Sequence, residues 1–521
     1  MIKSKINSKI EINSQFKVAL EVMENTVKNV FVTGRAGTGK STLLNYWRGI
    51  TKKSAVVLAP TGVAALNVNG QTVHSFFRFK PDITLDKIIK KSFKKGKNIY
   101  QKIDCLVIDE ISMVRSDLLD CVDKFMRLNG RDKNLPFGGA QMIFIGDLYQ
   151  IPPVVVGKER QIFRTLYKSQ YFFDANAFGG LKMKFIELEK VYRQQDQVFI
   201  NLLNAIRNNS ATQEHLEAIN ARVDPQFEPS STSFFIHLTT TNKLAEEINQ
   251  KQLAKIKDKL YAYQGEVEGD FSSRSLPTKL ELLVKKGTQV MMLNNDSNGR
   301  WVNGSVGKVI NVRRKKQDRE DIVIVELANG EQVEVLPFTW ELFRFFLDKE
   351  TGRLKSETIG SFRQYPFMLA WAVTIHKSQG KTFERVIINL GRGTFVHGQL
   401  YVALSRCTTL GGLVLRRPIE KKHIFMDWRV VKFLTQRQYE ISEKRLSLEK
   451  KIEIIERAIR AKKQLKIIYL KANDEKSKRA ILPDFVGEME YLGRTYLGVT
   501  GFDSKSQEER NFRVDRILEI C

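Results

Sequence analysis

Residues 34–41, Gly-Arg-Ala-Gly-Thr-Gly-Lys-Ser, satisfy GxxxxGK[ST] at every fixed position. The apolar run Val30–Thr33 precedes them and a helix-compatible stretch follows. In that setting glycines let backbone N–H groups wrap phosphates at a helix N-terminus. Gly34, Ala36, Gly37, Thr38, Gly39, Lys40, Ser41 and Thr42 then make a nucleotide cradle, with Lys40 reaching the β- and γ-phosphates and Ser41 a ligand for Mg²⁺. Val107-Ile108-Asp109-Glu110 is an apolar strand ending in two carboxylates, which point into the crevice where α/β sheets bind ligands. Asp109 can hold Mg²⁺ while Glu110 orients an attacking water. Gln150 ends another strand, Ile145-Gly146-Asp147-Leu148-Tyr149-Gln150, where a γ-phosphate sensor or water-positioning amide would sit. The chemistry these types and spacings describe is hydrolysis of a phosphoric anhydride.

The elements that must carry these groups read as alternating strands and helices over residues 15–155. Val30–Thr33, Ala55–Ala59, Cys105–Asp109 and Met142–Gly146 are short, β-branched apolar runs suited to buried parallel strands. A second α/β unit is expected from about Glu187 to Arg417, with strands near Phe234–Thr239, Thr288–Leu293, Arg385–Leu390 and Leu413–Leu415. Val306–Val312, Ile322–Leu327 and Gln332–Leu336 predict a small inserted β-barrel, with Asn329-Gly330 as a type I′ hairpin turn. Leu85–Lys102 carries seven lysines and one aspartate and reads as a solvent-facing insertion. Residues 431–465 are charged and helical in pattern, and short strands return to the end.

At 521 residues the chain should hold three to five domains, and 42% hydrophobic content can fill several cores. A formal charge of +27 predicts an anionic partner, nucleic acid before a membrane surface. The basicity is spread: the last 101 residues hold 23 basic and 16 acidic side chains. The longest apolar stretch, Phe367–Ile375, is far short of the ~20 residues that span a bilayer. No signal peptide or mitochondrial presequence is read at the N-terminus. Cys105, Cys121, Cys407 and Cys521 have no CxxC spacing, so reduced cytoplasmic thiols are expected and neither a disulfide scaffold nor a structural zinc site.

Longer motifs reach a family. Residues 59–65 (Ala-Pro-Thr-Gly-Val-Ala-Ala), 70–77 (Gly-Gln-Thr-Val-His-Ser-Phe-Phe), 109–113 and 146–153, then Val191-Tyr192-Arg193-Gln194, 370–380 and Tyr401–Arg406, follow the order and spacing of one pattern over residues 13–430. Together they resemble the PIF-one/RecD-like group of superfamily 1B DNA helicases. The resemblance implies two RecA-like P-loop domains with ATP between them. It makes Gln15 the adenine reader, Gly380 a nucleotide contact, and Arg193 and Arg406 arginine fingers from the second domain. Pro60, Thr61, His74 and Phe76 match DNA contacts of the first domain, and Thr241, Asn242, Asn303, His376 and Lys377 those of the second. Phe76 reads equally well as core.

The same resemblance lays out the domains: 1–70 and 103–186 as RecA-like domain 1A, 71–102 as a wedge subdomain 1B, 187–286 and 361–430 as RecA-like domain 2A, and 287–360 as an SH3-like subdomain 2B. A helical linker, 431–448, leads to 449–521, which resemble a WYL domain, an SH3-like barrel. The matching parts are 466–469, 479–483, 495–497 and 510–517, with Thr495 standing where the name-giving tryptophan would be. Tyr469, Arg479, Arg510 and Arg513 are candidates for a basic ligand groove there; the alternative is that these arginines form ion pairs that hold the barrel. The implied protein is an ATP- and Mg²⁺-dependent 5′→3′ DNA helicase of the bacterial cytoplasm, monomeric in solution. Its partners would be single-stranded and forked duplex DNA, with G-quadruplex and RNA–DNA hybrid as further substrates and no membrane. A DNA-stimulated translocase without unwinding, and a regulator whose motor only binds nucleotide, are the competing readings.

Overall fold

The computed structural model describes residues 11–80, 83–94, 97–155, 163, 165–194, 196–230, 233–271, 276–314, 320–347, 354–390, 396–491 and 493–521. Residues 1–10 of the expected first domain and Lys95 of the lysine-rich segment lie outside these. The chain forms two compact units, Met1–Leu203 with Leu216–His423, and Asn204–His215 with Ile424–Cys521.

The large unit starts with helix α1 (Ser14–Asn25), capped by Asn13, whose side chain accepts from the Phe16 N–H at 2.8 Å. Phe16, Ala19, Val22 and Met23 recur at helical spacing and bury one face of α1. Strands β1 (Asn29–Gly34), β2 (Ala55–Ala59), β3 (Gln71–Thr72), β4 (Cys105–Ile108), β5 (Gln141–Ile145) and β6 (Met183–Leu188) form one parallel sheet in the order β3-β2-β4-β5-β1-β6. The central strands are buried on both faces, which is why they read as unbroken apolar runs and not as alternations. Helices α2 (Lys40–Ile50), α3 (Gly62–Asn67) and α4 (Ser116–Asn129) follow β1, β2 and β4. Because β5 lies between β1 and β4, the phosphate loop, the Asp109-Glu110 pair and the Gly146–Gln150 turn emerge side by side at the carboxyl edge.

The expected four strands are present, and two edges were missed. Gln71–Thr72 is a sheet strand, so 71–102 is not wholly an insertion, and β6 keeps Glu187 and Leu188 in the first sheet. The lysine-rich segment holds two short 3₁₀ turns, Leu85–Lys87 and Ile99–Lys102. It is anchored by Tyr100, whose ring centroid lies 4.7 Å from Phe125 of α4, while Lys87, Lys90, Lys94 and Lys97 are exposed.

The second core sheet begins at β7 (Ile236–Thr239), followed by α5 (Asn242–Lys255). A long antiparallel excursion then intervenes: β8 (Leu260–Gln264), β9 (Glu266–Gly269), β10 (Glu281–Lys285), β11 (Gln289–Met292), β12 (Val306–Arg314), β13 (Asp321–Leu327), β14 (Gln332–Val335), β15 (Phe338–Leu347), β16 (Leu354–Gln364) and β17 (Phe367–Leu369). The core resumes with β18 (Ala372–Thr374), β19 (Val386–Asn389), α6 (Gln399–Leu404) and β20 (Leu413–Leu415), giving a parallel sheet in the order β18-β7-β19-β20.

Three expectations are corrected here. The strand expected at Thr288–Leu293 is β11, and it belongs to the excursion's sheet β14-β13-β12-β11-β17. The excursion begins near Leu260, not at 287, since β9 pairs with β16 and β8 with β10. The hairpin at Asn329-Gly330 is present, but its turn is not type I′. Only Gly330 of the two takes a positive φ, 87°, and the Leu327 N–H donates to the Glu331 carbonyl at 2.8 Å. This is a three-residue loop with a left-handed glycine, the alternative that keeps Asn329 out of strained backbone.

The C-terminal unit packs α7 (Trp428–Arg445) and α8 (Leu448–Arg460) with an antiparallel sheet of β21 (Leu465–Leu470), β22 (Lys476–Tyr491), β23 (Arg494–Asp503), β24 (Glu508–Arg513) and β25 (Ile517–Ile520), ordered β24-β23-β22-β21-β25. Ile455, Ala458, Ile467, Ile481, Val499, Phe512 and Ile517 form its core. Residues 431–448 are therefore no free linker: Ser442 on α7 donates to the Leu518 carbonyl at 2.8 Å, and Arg445 pairs with Glu519 at 2.6 Å. Nor are the strands all short, for β22 runs through sixteen residues.

Candidate functional site

The phosphate loop is set by backbone conformations that only glycine adopts freely. Gly37 (φ 81°) and Gly39 (φ 85°) are left-handed. A Cβ on Gly37 would lie 2.5 Å from the Arg193 Cβ, and one on Gly39 would lie 2.9 Å from the Phe16 ring. The loop ends as α2 begins, so Lys40, Ser41 and Thr42 form the helix's first turn, with Ser41 and Thr42 exposed. Lys40 Nζ donates to the carbonyls of Gly34 (2.7 Å) and Arg35 (3.0 Å). Thr38 Oγ1 donates to the Arg35 carbonyl at 2.9 Å. Burial pushes the Lys40 amine downward, opposed by Asp147, Glu110 and Asp109.

Asp109 and Glu110 follow β4. Burial first, then the charge of Glu110, raises the Asp109 carboxyl to about 7. Burial also raises Glu110, against the pull of Lys40, Arg406 and Arg193. Glu110 has left-handed backbone (φ 49°), and its buried Oε2 has no hydrogen-bond partner. A strained non-glycine residue with an unsatisfied carboxylate oxygen is a costly arrangement of the kind that persists at functional sites. Gln150 is buried and its amide donates to Asp147 Oδ2 at 3.2 Å. Among the described residues no group of three or more His, Cys, Asp or Glu side chains could hold a metal ion. Ser41 and Asp109 alone suit Mg²⁺, which keeps waters and substrate phosphates as its other ligands.

Of the two arginines, Arg406 follows α6 of the second core, whereas Arg193 follows β6 of the first sheet and packs on the phosphate loop, where the Tyr192 N–H donates to the Gly37 carbonyl at 2.8 Å. Arg193 donates to the carbonyls of Ser405 (3.2 Å) and Gly380 (3.4 Å). Arg406, 1% exposed, donates to the carbonyls of Val402, Ser378 and Lys381 and to Ser405 Oγ. Burial and then the nearby Arg193 bring Arg406 down to about 9. No described carboxylate bonds to either guanidinium, yet both are felt electrostatically by Glu110. This arrangement presents uncompensated positive charge beside a phosphate cradle. Gln15 is engaged with Glu189: its Nε2 donates to the carboxylate at 3.2 Å and its Oε1 accepts from the backbone N–H at 3.0 Å.

The expected DNA residues fall on repeated structure. Thr61 caps α3 just past β2, and Thr241 caps α5 just past β7, each accepting from the backbone N–H three residues on. Thr61, Thr241, Asn242 and Lys377 are exposed, and Pro60 is half-buried. His74 and His376 are half-buried, and burial lowers both imidazoles. Asn303 bridges Asn67 and Lys381. Phe76 is the exception: 5% exposed, with its ring centroid 4.8 Å from that of Phe77, it is a core residue.

In the C-terminal unit the four groove candidates do not form one cluster. Tyr469 accepts from the Arg513 N–H at 3.4 Å, and Arg513 pairs with Asp515 at 2.6 Å. Arg479 pairs instead with the fully buried Asp503 at 2.6 Å, and Arg510 pairs with Glu508. Each of the three arginines is thus in an ion pair, and of these only the Arg479 pair has a buried carboxylate.

Three residues at the cleft escaped the sequence reading. Asp147 is fully buried and acts on Lys40, Glu110 and Arg406. Tyr401 OH accepts from the Ala36 N–H of the phosphate loop at 2.9 Å. Gln194 donates to the carbonyls of Ser405 (3.1 Å) and Cys407 (3.0 Å). All three lie inside quoted motifs, but their partners are distant in sequence.

The profile of the family described as PIF1-like helicase matches residues 11–217, and that of the WYL domain matches 450–521. A Campylobacter jejuni protein named ATP-dependent DNA helicase Pif1 is 31% identical over 404 residues, covering 73% of this chain and 87% of the relative. The chain spans 62% of the Emericella nidulans PIF1 helicase, at 29% identity and over 80% of its own length. Among solved structures, Bacteroides Pif1 in complex with ADP-AlF4 superposes with a TM-score of 0.74 at 35% identity, over 83% of this chain and 98% of that one. Bacteroides Pif1 bound to ssDNA matches with the same identity and coverage and a TM-score of 0.59.

Proposed function

The chain belongs to the PIF1-like helicase family and is an ATP-dependent DNA helicase; from that premise we propose that it tracks 5′→3′ along single-stranded DNA and opens duplex at a fork. The observation that carries the motor reading is Arg193, half-buried, and Arg406, buried, both bonded only to neutral oxygens and both acting on Glu110 beside the phosphate loop. When ATP occupies the loop, its γ-phosphoryl group is the anion these guanidinium groups have been arranged to meet. Charge develops there in the transition state, and such a finger contributes ~10³–10⁵ in rate. Glu110 orients the attacking water, and Gln150, whose amide is held by Asp147, is the proposed second group to position it. Ser41 and Asp109 would hold Mg²⁺, which supplies charge neutralisation on the phosphates.

Arg406 comes from the second core and the cradle from the first, and Arg193 reaches from beside the cradle to the Ser405 and Gly380 carbonyls of the second, so hydrolysis requires the two to close. Closing and reopening move the capped turns at Thr61 and Thr241 relative to one another, and so step a bound strand. Pro60, Thr61, His74, Thr241, Asn242, Asn303, His376 and Lys377 are the proposed strand contacts. Polar contacts to phosphate oxygens and stacking at ~1–3 kcal/mol per base ignore sequence, as a translocase requires. Single-stranded and forked DNA are thus the proposed substrates, with G-quadruplex and RNA–DNA hybrid as further ones. We place the protein as a monomer in the bacterial cytoplasm; among the described residues no helix is long and apolar enough to cross a membrane. The C-terminal unit is proposed to add strand affinity or to regulate the motor.

The test is unwinding of a forked duplex with either a 5′ or a 3′ tail. Strand separation with the 5′ tail alone, abolished by Lys40→Ala, is expected. DNA-stimulated hydrolysis without separation on either tail would make the protein a translocase instead.

A further inference from the structure

Asn303 is held from both sides. Its Nδ2 donates to Asn67 Oδ1 at 2.9 Å, at the end of α3, and its Oδ1 accepts from Lys381 Nζ. Its own N–H is bonded to Asn295 Oδ1 at 2.8 Å, so the side chain has a fixed root. Lys381 stands directly after Gly380, and its carbonyl accepts from Arg406 at 3.2 Å. Its N–H donates to the Ser378 carbonyl, which Arg406 also engages. The Lys381 side chain is 6% exposed, and no described carboxylate pairs with it; burial brings its ammonium down to about 8. A buried ammonium costs folding free energy unless paired. Plain packing at this place would be served better by an uncharged side chain. A charged donor kept on a neutral amide belongs to a contact that must be both specific and breakable.

The bonds therefore run unbroken from Arg406, through the backbone and then the ammonium of Lys381, through the Asn303 amide, to Asn67 and the helix that Thr61 caps. Each link is a hydrogen bond that weakens steeply once stretched or bent. A small shift of α3 against the second core is felt at the carbonyl that seats Arg406. We propose that Lys381 is a positioning residue that couples the arginine finger Arg406 to the DNA-facing helix α3 through Asn303 and Asn67, so that strand binding sets the finger. The proposal rests on the helicase reading, and its test separates the two.

The full-length protein is compared with Lys381→Met, Lys381→Arg, Asn67→Ala and the Lys381→Met/Asn67→Ala double variant. ATPase rates are taken without DNA and with saturating oligothymidine. Lys381→Met keeps the stem and removes the charge, and Asn67 is at the surface, so its truncation leaves the fold intact. In each single variant the DNA-free rate should stay within about twofold while the DNA-stimulated rate falls about tenfold, the factor corresponding to ~1.4 kcal/mol. The double variant should be no worse than the poorer single one, since both cut the same path. Lys381→Arg should recover part of the stimulation. Undiminished stimulation in Lys381→Met, defects that multiply in the double variant, or an equal fall with and without DNA would each overturn the coupling role. If the wild-type protein itself shows no stimulation by DNA, it is the helicase reading that fails first.

Discussion

The arginines of the ATP cleft and those of the C-terminal unit are opposites. Arg406 is buried and Arg193 half-buried, and both are bonded to carbonyls and a hydroxyl, with no carboxylate attached. Arg479, Arg510 and Arg513 each hold a carboxylate of their own, Asp503, Glu508 and Asp515. A buried cation without an anion is a liability in the resting protein, and it persists where a ligand or transition state supplies the missing charge. A cation already neutralised has little left to offer an incoming phosphate. By this criterion the cleft is built for chemistry. In the small unit, Arg479 is built for the fold, and only the two exposed pairs can open to a partner at low cost.

The comparison can be broken by substitution. Arg406→Ala should show the largest effect, lowering DNA-stimulated kcat by ~10³–10⁵ while the melting temperature holds or rises, because an uncompensated charge has been removed. A fall in melting temperature of the same variant would mean that Arg406 holds the fold and would erase the contrast. Arg479→Ala should do the reverse: a loss of about 3 kcal/mol in stability of the C-terminal unit, since the buried Asp503 loses its cation and keeps only the Lys505 N–H and the Ser506 hydroxyl, with DNA-free ATPase unchanged. Calorimetry of the full chain resolves this.

Next comes a pH effect. Asp109 rises from 3.8 to about 7 on folding, so over that range the folded state keeps a proton the unfolded chain has lost. The stability this confers is complete below about pH 4 and disappears as pH climbs through about 7. Nucleotide-free Asp109→Asn should therefore melt roughly 4 °C above wild type at pH 8 and level with it at pH 4. A gap independent of pH would show that Asp109 is not protonated in the folded state. The smallest effect belongs to Arg510→Ala, an exposed pair screened by water, which should leave the melting temperature unchanged. A fall there would mean that the exposed pairs also hold the fold.

Much of the cleft was legible because its chemistry is local. A glycine loop, a lysine and a helix start within eight residues, and a strand ending in two carboxylates, need only neighbouring residues to be recognised. The buried parallel strands announced themselves as apolar runs. What escaped depends on who meets whom. Gln71–Thr72 is too short to show a period, and β11 carries the same apolar signature whether it joins a parallel core or an antiparallel excursion. Asn-Gly signals a hairpin, but loop length chose the turn, leaving Gly330 alone in the left-handed region. Phe76 could stack on a base or fill a core; it is buried in edge-to-face contact with the rings of Phe77 and Tyr100.

Apart from the two candidate fingers, which the family resemblance implied, the sequence by itself determined the inventory: a phosphate loop, two acids at a strand end, a net basic charge and the order of the elements. These follow from residue type and short-range spacing, where chain connectivity already enforces proximity. Tertiary structure alone decided the state of those charges. Whether an arginine is a finger or a strut depends on whether a carboxylate turns toward it, 24 residues away for Arg479 or two residues away for Arg510 and Arg513. Asp147 beneath Lys40, Tyr401 on the phosphate loop and the path from Arg406 to Asn67 all join segments that sequence separation keeps apart. Charges in a dry interior act on whatever the fold brings near, and that no local pattern records.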